Sequence, residues 1–151
     1  MLTKLTKIER GDPERVEIFC YAVTDEVREI VAFVKSRQGK LTGSIDDRQY
    51  EVPLTDIFYI ESVDNKVFLY TKDKVYETKQ KIYEFESILK TKHYLRISKS
   101  MLLNLMKVES IRPALNGRFS AMLRSGEQVI ITRKYVPDLK RALKGDTEYD
   151  R

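Results

Sequence analysis

Three short polar runs carry the residue types able to do chemistry in this chain: Asp64-Asn65-Lys66, Ser98-Lys99-Ser100 and Thr132-Arg133-Lys134. Each sets a long cation beside a hydroxyl or amide group. Lysine and arginine reach phosphate oxygens or the acceptor edge of guanine, asparagine can pair with adenine, and serine or threonine hydroxyls bind phosphate. The chemistry implied is recognition of a polyanion, DNA above all, rather than the making of bonds. Solvent-exposed turns often have this composition, so one such run is weak evidence, and the weight lies in three of them on one basic segment. Residues 92–144 hold twelve Lys and Arg against three acids, Glu109, Glu127 and Asp138, whereas residues 1–50 carry nine of each sign. A local excess of nine positive charges is the electrostatic footprint of a polyanion binder. The competing reading is a basic surface that serves only solubility.

Groups suited to catalysis are sparse. The one histidine, His93, lies between Lys92 and Tyr94, and the one cysteine, Cys20, is far away in E-I-F-C-Y-A-V. That leaves no local His/Cys cluster for zinc and no evident nucleophile–base pair. Cys20 reads as a small hydrophobe buried on a strand, and a single cysteine forms no internal disulfide. The six glycines stand singly at turns, so no phosphate-cradling loop is visible. Scattered carboxylates could be brought together by folding, but nothing points to an enzyme, a cofactor, a metal or a small-molecule substrate. With 42% hydrophobic and 34% charged residues over 151 positions, the expectation is one soluble domain with a real core and perhaps a small appendage. Charges interrupt every apolar run at the N-terminus, and no run approaches the roughly 18 apolar residues of a membrane span. A cytoplasmic location is expected.

The elements that must position the three runs are mostly strands. Leu95 and Ile97 alternate with Tyr94, Arg96 and Ser98, so a strand leads into Ser98-Lys99-Ser100, and the apolar Met101-Leu102-Leu103 must return to the core. Ile57 to Val63, Val67 to Thr71 and Val75 to Thr78 read as three successive antiparallel strands turning at Asp64-Asn65-Lys66 and Asp73-Lys74. Leu41 to Ile45 and Gln49 to Val52 suggest a hairpin around Asp46-Asp47, followed by a short irregular or helical link at 53–56. Thr78 is placed to cap a helix reaching about Lys90, with Ile82, Phe85, Ile88 and Leu89 on one face. Lys107 to Arg112, Arg118 to Leu123 and Gln128 to Ile131 are further strands, with Asn116-Gly117 the strongest turn signal and Ser125-Gly126 a second. Tyr135, Leu139, Ala142 and Leu143 predict a last short helix, with Pro137 in its first turn.

Ahead of these, residues 1–39 form a charge-neutral front unit. A strand over 2–8, a turn at Gly11-Asp12-Pro13 and a strand from Val16 to Val23 are expected. Thr24-Asp25-Glu26 should start an amphipathic helix to about Arg37, with Val27, Ile30, Val31 and Val34 at i, i+3, i+4 and i+7, ended by Gln38-Gly39. This unit could dock on the main domain, pair with a second copy or receive a signal.

In order along the chain, D-I-F-Y-I-E-S-V-D-N-K-V-F-L-Y-T (56–71), Y-L-R-I-S-K-S-M-L-L-N (94–104) with V-E-S-I-R (108–112), and V-I-I-T-R-K-Y-V-P-D-L (129–139) resemble the LytTR DNA-binding domain of bacterial transcriptional regulators. The resemblance covers about residues 40–144, leaving 145–151 as a tail. It implies an elongated, mostly β (α+β) fold of antiparallel strands with short helices. Inter-strand loops, rather than a recognition helix, would enter successive major grooves of bent promoter DNA. The residues it assigns to DNA are Asn65, Lys66, Arg96, Ser98, Lys99, Ser100, Arg133 and Lys134. Thr132-Arg133-Lys134-Tyr135 is similar to the family's S-R-R-Y pattern. Ser98-Lys99-Ser100 departs from the frequent H-R-S, and Lys66 stands where an aromatic residue or histidine is common, so a different base preference is implied. About forty residues ahead of the module are too few for a receiver domain, which implies the stand-alone group. A homodimer is expected, with the front unit as dimer contact or as the docking surface for a membrane-bound partner.

Two other classes stay open on the residues alone. One is an RNA or single-strand binder using Phe58, Tyr59, Tyr70, Tyr76 and Phe119 as stacking platforms, although aromatic residues on alternating strands more often pack in a core. The other is a protein-interaction module with an incidentally basic face.

Overall fold

The computed structural model describes residues 1–36, 39–90 and 92–144. After helix α1 (Asp25–Ser36) come strands β1 (Lys40–Ile45), β2 (Arg48–Pro53), β3 (Ile57–Val63), β4 (Lys66–Thr71) and β5 (Val75–Thr78). Helix α2 (Ile82–Ile88) leads to β6 (Tyr94–Arg96), β7 (Met101–Asn104), β8 (Val108–Pro113), β9 (Phe119–Leu123) and β10 (Gln128–Ile131), and α3 (Val136–Leu143) closes the described chain. The strands form two antiparallel sheets, one of seven in the order β2-β1-β5-β4-β3-β7-β6 and one of three in the order β10-β9-β8. This is the mostly β fold with short helices that the alternating pattern predicts.

Strand β3, between β4 and β7 in the large sheet, serves two cores. Ile57 and Ile60 join a cluster with Leu69, Leu102, Ile82, Phe85 and Leu89, which seats α2 on one face of the large sheet. Phe58 and Tyr59 join the other cluster, with Leu103, Ala121, Leu123, Val129, Ile131 and Leu139, which packs the small sheet and α3 on the opposite face. Strict alternation would forbid two neighbours on one face. The register between β3 and β4 slips between Ile57 and Tyr59, and this irregularity lets Phe58 and Tyr59 both enter the inter-sheet core. The buried Asn104, 3% exposed, secures the spot: its Nδ2 donates to Ile57 O at 2.8 Å and its Oδ1 accepts from Met106 N at 3.0 Å. The hairpin turns follow their chemistry, with Asp46-Asp47 and Asp64-Asn65 all at positive φ, as a two-residue type I′ turn requires.

Several expectations are corrected. Neither 2–8 nor 16–23 is a strand; the one bridge there joins Arg10 and Asp12 about the Gly11 turn. A β-prone run becomes a strand only where a neighbour takes up its N–H and C=O groups, and this run pairs with neither sheet. Cys20 is therefore exposed, not buried. Thr78 does not cap α2, because pairing with Val67 holds it as the last residue of β5, and the helix begins four residues later. The shorter helix buries Ile82, Phe85 and Leu89 and leaves Ile88 exposed. In α3, Val136 and Leu139 face the core while Ala142 and Leu143 face outward, Pro137 standing in the first turn as expected. Thr24 does begin α1, its Oγ1 accepting from Val27 N at 3.4 Å. Within α1, Val27 is buried, Ile30 and Val34 half-buried and Val31 exposed. The expected end of this helix at Arg37 and Gln38, and the tail 145–151, lie outside the described residues.

Replacing Asn104 with Ala leaves Ile57 O and Met106 N without their partner beside a close-packed core. We expect a loss of about 2 kcal/mol in urea unfolding; a loss below about 0.5 kcal/mol would show that Asn104 does not secure the irregularity.

Candidate nucleic-acid interface

The β3–β4 turn at Asp64-Asn65 and the loop 98–100 lie at the same end of neighbouring strands. Ile60 pairs with Leu102 and Glu61 with Met101, and Ser62 N then donates to Ser100 O at 2.8 Å. The third run joins the second through Ile97, whose carbonyl accepts from Thr132 N at 2.9 Å and from Thr132 Oγ1 at 3.2 Å. These backbone contacts link loop 98–100 to the strand that enters the first run and to the first residue of the third, and we call the three runs together the rim.

Loop 98–100 is built tightly. Ile97 N donates to Met101 O at 3.0 Å, closing the loop, and Ser100 N donates to Ser98 Oγ at 3.2 Å. Ile97 itself is fully buried. The half-buried Arg96, its side chain 16% exposed, donates from Nε to Ser98 O at 2.8 Å and from Nη2 to Lys99 O, while Nη1 reaches Glu86 Oε1 at 3.3 Å. Its guanidinium is thus directed at the loop backbone and a carboxylate, and only Lys99 stands out as an exposed side chain.

Arg133 and Lys134 are exposed on a short 3₁₀ turn (Arg133–Tyr135) that leads into α3, with Lys134 Nζ 5.5 Å from the Tyr135 ring centroid. Next to Arg133 lies the loop 114–118, closed by Ala114 N donating to Arg118 O at 2.8 Å. Asn116 and Gly117 both take positive φ, and Arg118 Nε donates to Leu115 O at 3.1 Å. A methyl group on Gly117 would lie 2.9 Å from Arg133 Cδ and 3.1 Å from its Cγ. The Arg133 stem therefore rests on a glycine that no larger residue could replace without moving it.

Lys66 is exposed and 3.9 Å from Glu77 on β5, a surface pair worth at most about 1 kcal/mol. Among the described residues Lys99 and Arg133 make no ion pair. Behind the rim, Tyr59 and Tyr70 stack at 4.5 Å, and Tyr59 OH donates to Glu127 Oε2 at 2.8 Å, joining the large sheet to the small one. Burial raises the Glu61 carboxyl above the usual carboxylate range, a hydrogen bond from Tyr70 opposing it and the Glu127 charge adding to it. Among the described residues no group of His, Cys, Asp or Glu is placed to hold a metal ion, and no helix is long and apolar enough to cross a membrane.

Sequence reading singled out these cations but missed what holds their runs together. Ile97 gave no signal, and Thr132 was singled out only as a member of its polar run, since both of its bonds to Ile97 O join groups far apart in the chain. Gly117 was visible as a turn residue, without its contact to Arg133.

Residues 47–144 match the family model of the LytTr DNA-binding domain, and the chain belongs to that family. It is 27% identical over 113 residues to the sensory transduction protein LytT of Bacillus anthracis, covering 75% of this chain and 46% of that protein. An uncharacterised HTH-type transcriptional regulator of Staphylococcus aureus is 25% identical over 130 residues, covering 85% and 88%. The chain thus spans less than half of the length of LytT but most of that of the staphylococcal regulator. A solved LytTr DNA-binding domain from Bacillus cereus shares the fold, with a TM-score of 0.67 and 23% identity over 70% of this chain and 97% of that one.

Removing the guanidinium in Arg96→Ala should free the carbonyls of Ser98 and Lys99. Amide hydrogen exchange in 98–100 is expected to rise about tenfold, equivalent to one ordinary hydrogen bond of about 1.4 kcal/mol. Unchanged protection there would mean that Arg96 does not hold the loop.

Proposed function

We propose that this rim binds double-stranded promoter DNA in a sequence-specific way, its loops entering the major groove, and that the protein thereby regulates transcription. The observation that carries the reading is the double hydrogen bond of Thr132 to Ile97 O, which joins two cationic runs that lie far apart in the sequence. Lys99 and Arg133 are the chief readers of base edges, and Lys66 and Lys134 contact phosphates. Asn65 shapes its turn and Ser98 and Ser100 support their loop, each with hydrogen-bonding groups near the DNA. Arg96, assigned to DNA on the resemblance, acts instead through the loop that it braces. Two copies act together on the DNA in the cytoplasm, with residues 1–39 as their contact or as a dock for a membrane-bound partner. The single-strand alternative is weakened by its own platforms: Phe58 and Tyr59 are buried, and Tyr70, Tyr76 and Phe119 pack against the cores.

The test is selection of bound sequences from random duplexes, followed by affinities for the selected site, a scrambled duplex and RNA. Lys99→Ala and Arg133→Ala should each cost about 1–3 kcal/mol on the selected site and little on scrambled DNA. Lys134→Ala should weaken both alike and lower the salt slope by about one. Gly117→Ala should lose specificity as Arg133→Ala does, and should add nothing when combined with it, because it acts through that side chain. Equal affinity for RNA, or binding that salt leaves unchanged, would defeat the reading.

A further inference from the structure

The front unit exposes more apolar surface than a lone chain ordinarily leaves in water. Phe19 is 89% exposed, Tyr21 111%, Val16 64% and Val23 60%. Single exposed hydrophobes are normal on a protein surface, but a contiguous run of them marks an interaction site. In an extended chain Val16, Ile18, Cys20 and Ala22 would line one face and Phe19, Tyr21 and Val23 the other. Glu17 is the only charge in the run, and it is paired with Arg15 at 2.9 Å. Among the described residues the run has no strand partner within its own chain.

We propose that residues 16–23 pair antiparallel with the same residues of a second copy, the two strands being backed by the two α1 helices. The proposal rests on the reading that two copies act together, and it names the surface by which they do so. Charge selects a second copy as the occupant. Residues 92–144 carry an excess of nine positive charges, so two chains repel wherever those surfaces meet, whereas residues 1–39 hold seven charges of each sign. Contact through the neutral unit brings the copies together and leaves both basic rims for DNA.

The run is also complementary to itself. Opposed residues of antiparallel strands share a face, so a two-fold pairing must be centred on one residue. Centred on Phe19, it sets Ile18 against Cys20 and Val16 against Ala22; centred on Cys20, it sets Phe19 against Tyr21 and Ile18 against Ala22. Centred on Phe19, the charged pairings are Glu17 with Tyr21 and Arg15 with Val23; centred on Cys20, the run's one charged pairing is Glu17 with Val23. Two strands alone are marginal. Here Thr24 caps α1 directly after the run, and the exposed Val31 of that helix, with the half-buried Ile30 and Val34 beside it, adds apolar surface next to the paired strands.

The experiment is light scattering on the full chain at tens of micromolar, alone and with duplex DNA, on wild type and on Phe19→Asp/Tyr21→Asp. Both positions are exposed in the single chain, so the double variant should melt like wild type when both are diluted to monomer. The proposal expects twice the 17.8 kDa chain mass for wild type and a dissociation constant raised at least tenfold in the variant. A bis-maleimide of about 8 Å reach, matching the cross-strand diagonal, should join two copies through the sole cysteine, and Cys20→Ser should abolish the product. A dimer that survives the double variant without cross-linking at Cys20 would place the contact elsewhere, leaving the two-copy reading intact and overturning this one. Wild type that is monomeric alone and bound singly on DNA would overturn both. Monomeric wild type that co-sediments with lipid vesicles only while Phe19 and Tyr21 are present would make a lipid surface the occupant and overturn the pairing.

Discussion

The carbonyl of Ile97 is the point on which the rim depends. It takes two hydrogen bonds from Thr132, while the neighbouring amide closes the loop that presents Lys99. The side chain is fully buried between the sheets, so this backbone cannot move without exposing an isoleucine that contributes about 2–3 kcal/mol by burial. One residue thereby sets the loop 98–100 against the turn carrying Arg133. Neither run could hold its position alone, since an exposed three-residue loop has too few contacts to offset the entropy of ordering it.

The same logic explains why an arginine lies behind the loop. Arg96 gives its donors to two carbonyls that point away from any strand neighbour, and Glu86 on the exposed face after α2's first turn balances its charge. A cation used this way keeps the loop in one conformation before anything binds. Ordering in advance removes a cost that a flexible loop would meet on association. At the third run the equivalent device is steric: Gly117 offers the Arg133 stem a surface without a side chain.

What was legible in the sequence divides along the range of the interactions. Strand positions from residue 40 onward, the Asp-Asp and Asp-Asn turns and the place of Pro137 follow from local preferences, and each is found in the structure. The cations of the rim were legible because charge and polarity are properties of a residue type. The front strands failed because β-propensity reports a fit to a sheet that must be supplied by another segment. Thr78 failed for a related reason: the hydroxyl suits a cap, but pairing with Val67 takes the residue first. Arg96 could be recognised as basic from its type, whereas its use as a brace depends on carbonyls that only the folded loop aligns.

The division of charge between the two ends of the chain carries a further consequence for how such a rim works. A surface with nine excess positive charges attracts any duplex, so affinity alone cannot distinguish one site from another. On the proposed reading, discrimination comes from the few cations held in fixed positions, Lys99 by its closed loop and Arg133 by its glycine seat. On the same reading, the remaining lysines and arginines would supply attraction without sequence information. A basic domain with mobile loops would bind tightly and select poorly. Hydrogen bonds spent on backbone carbonyls, rather than on the partner, are what separate the two cases.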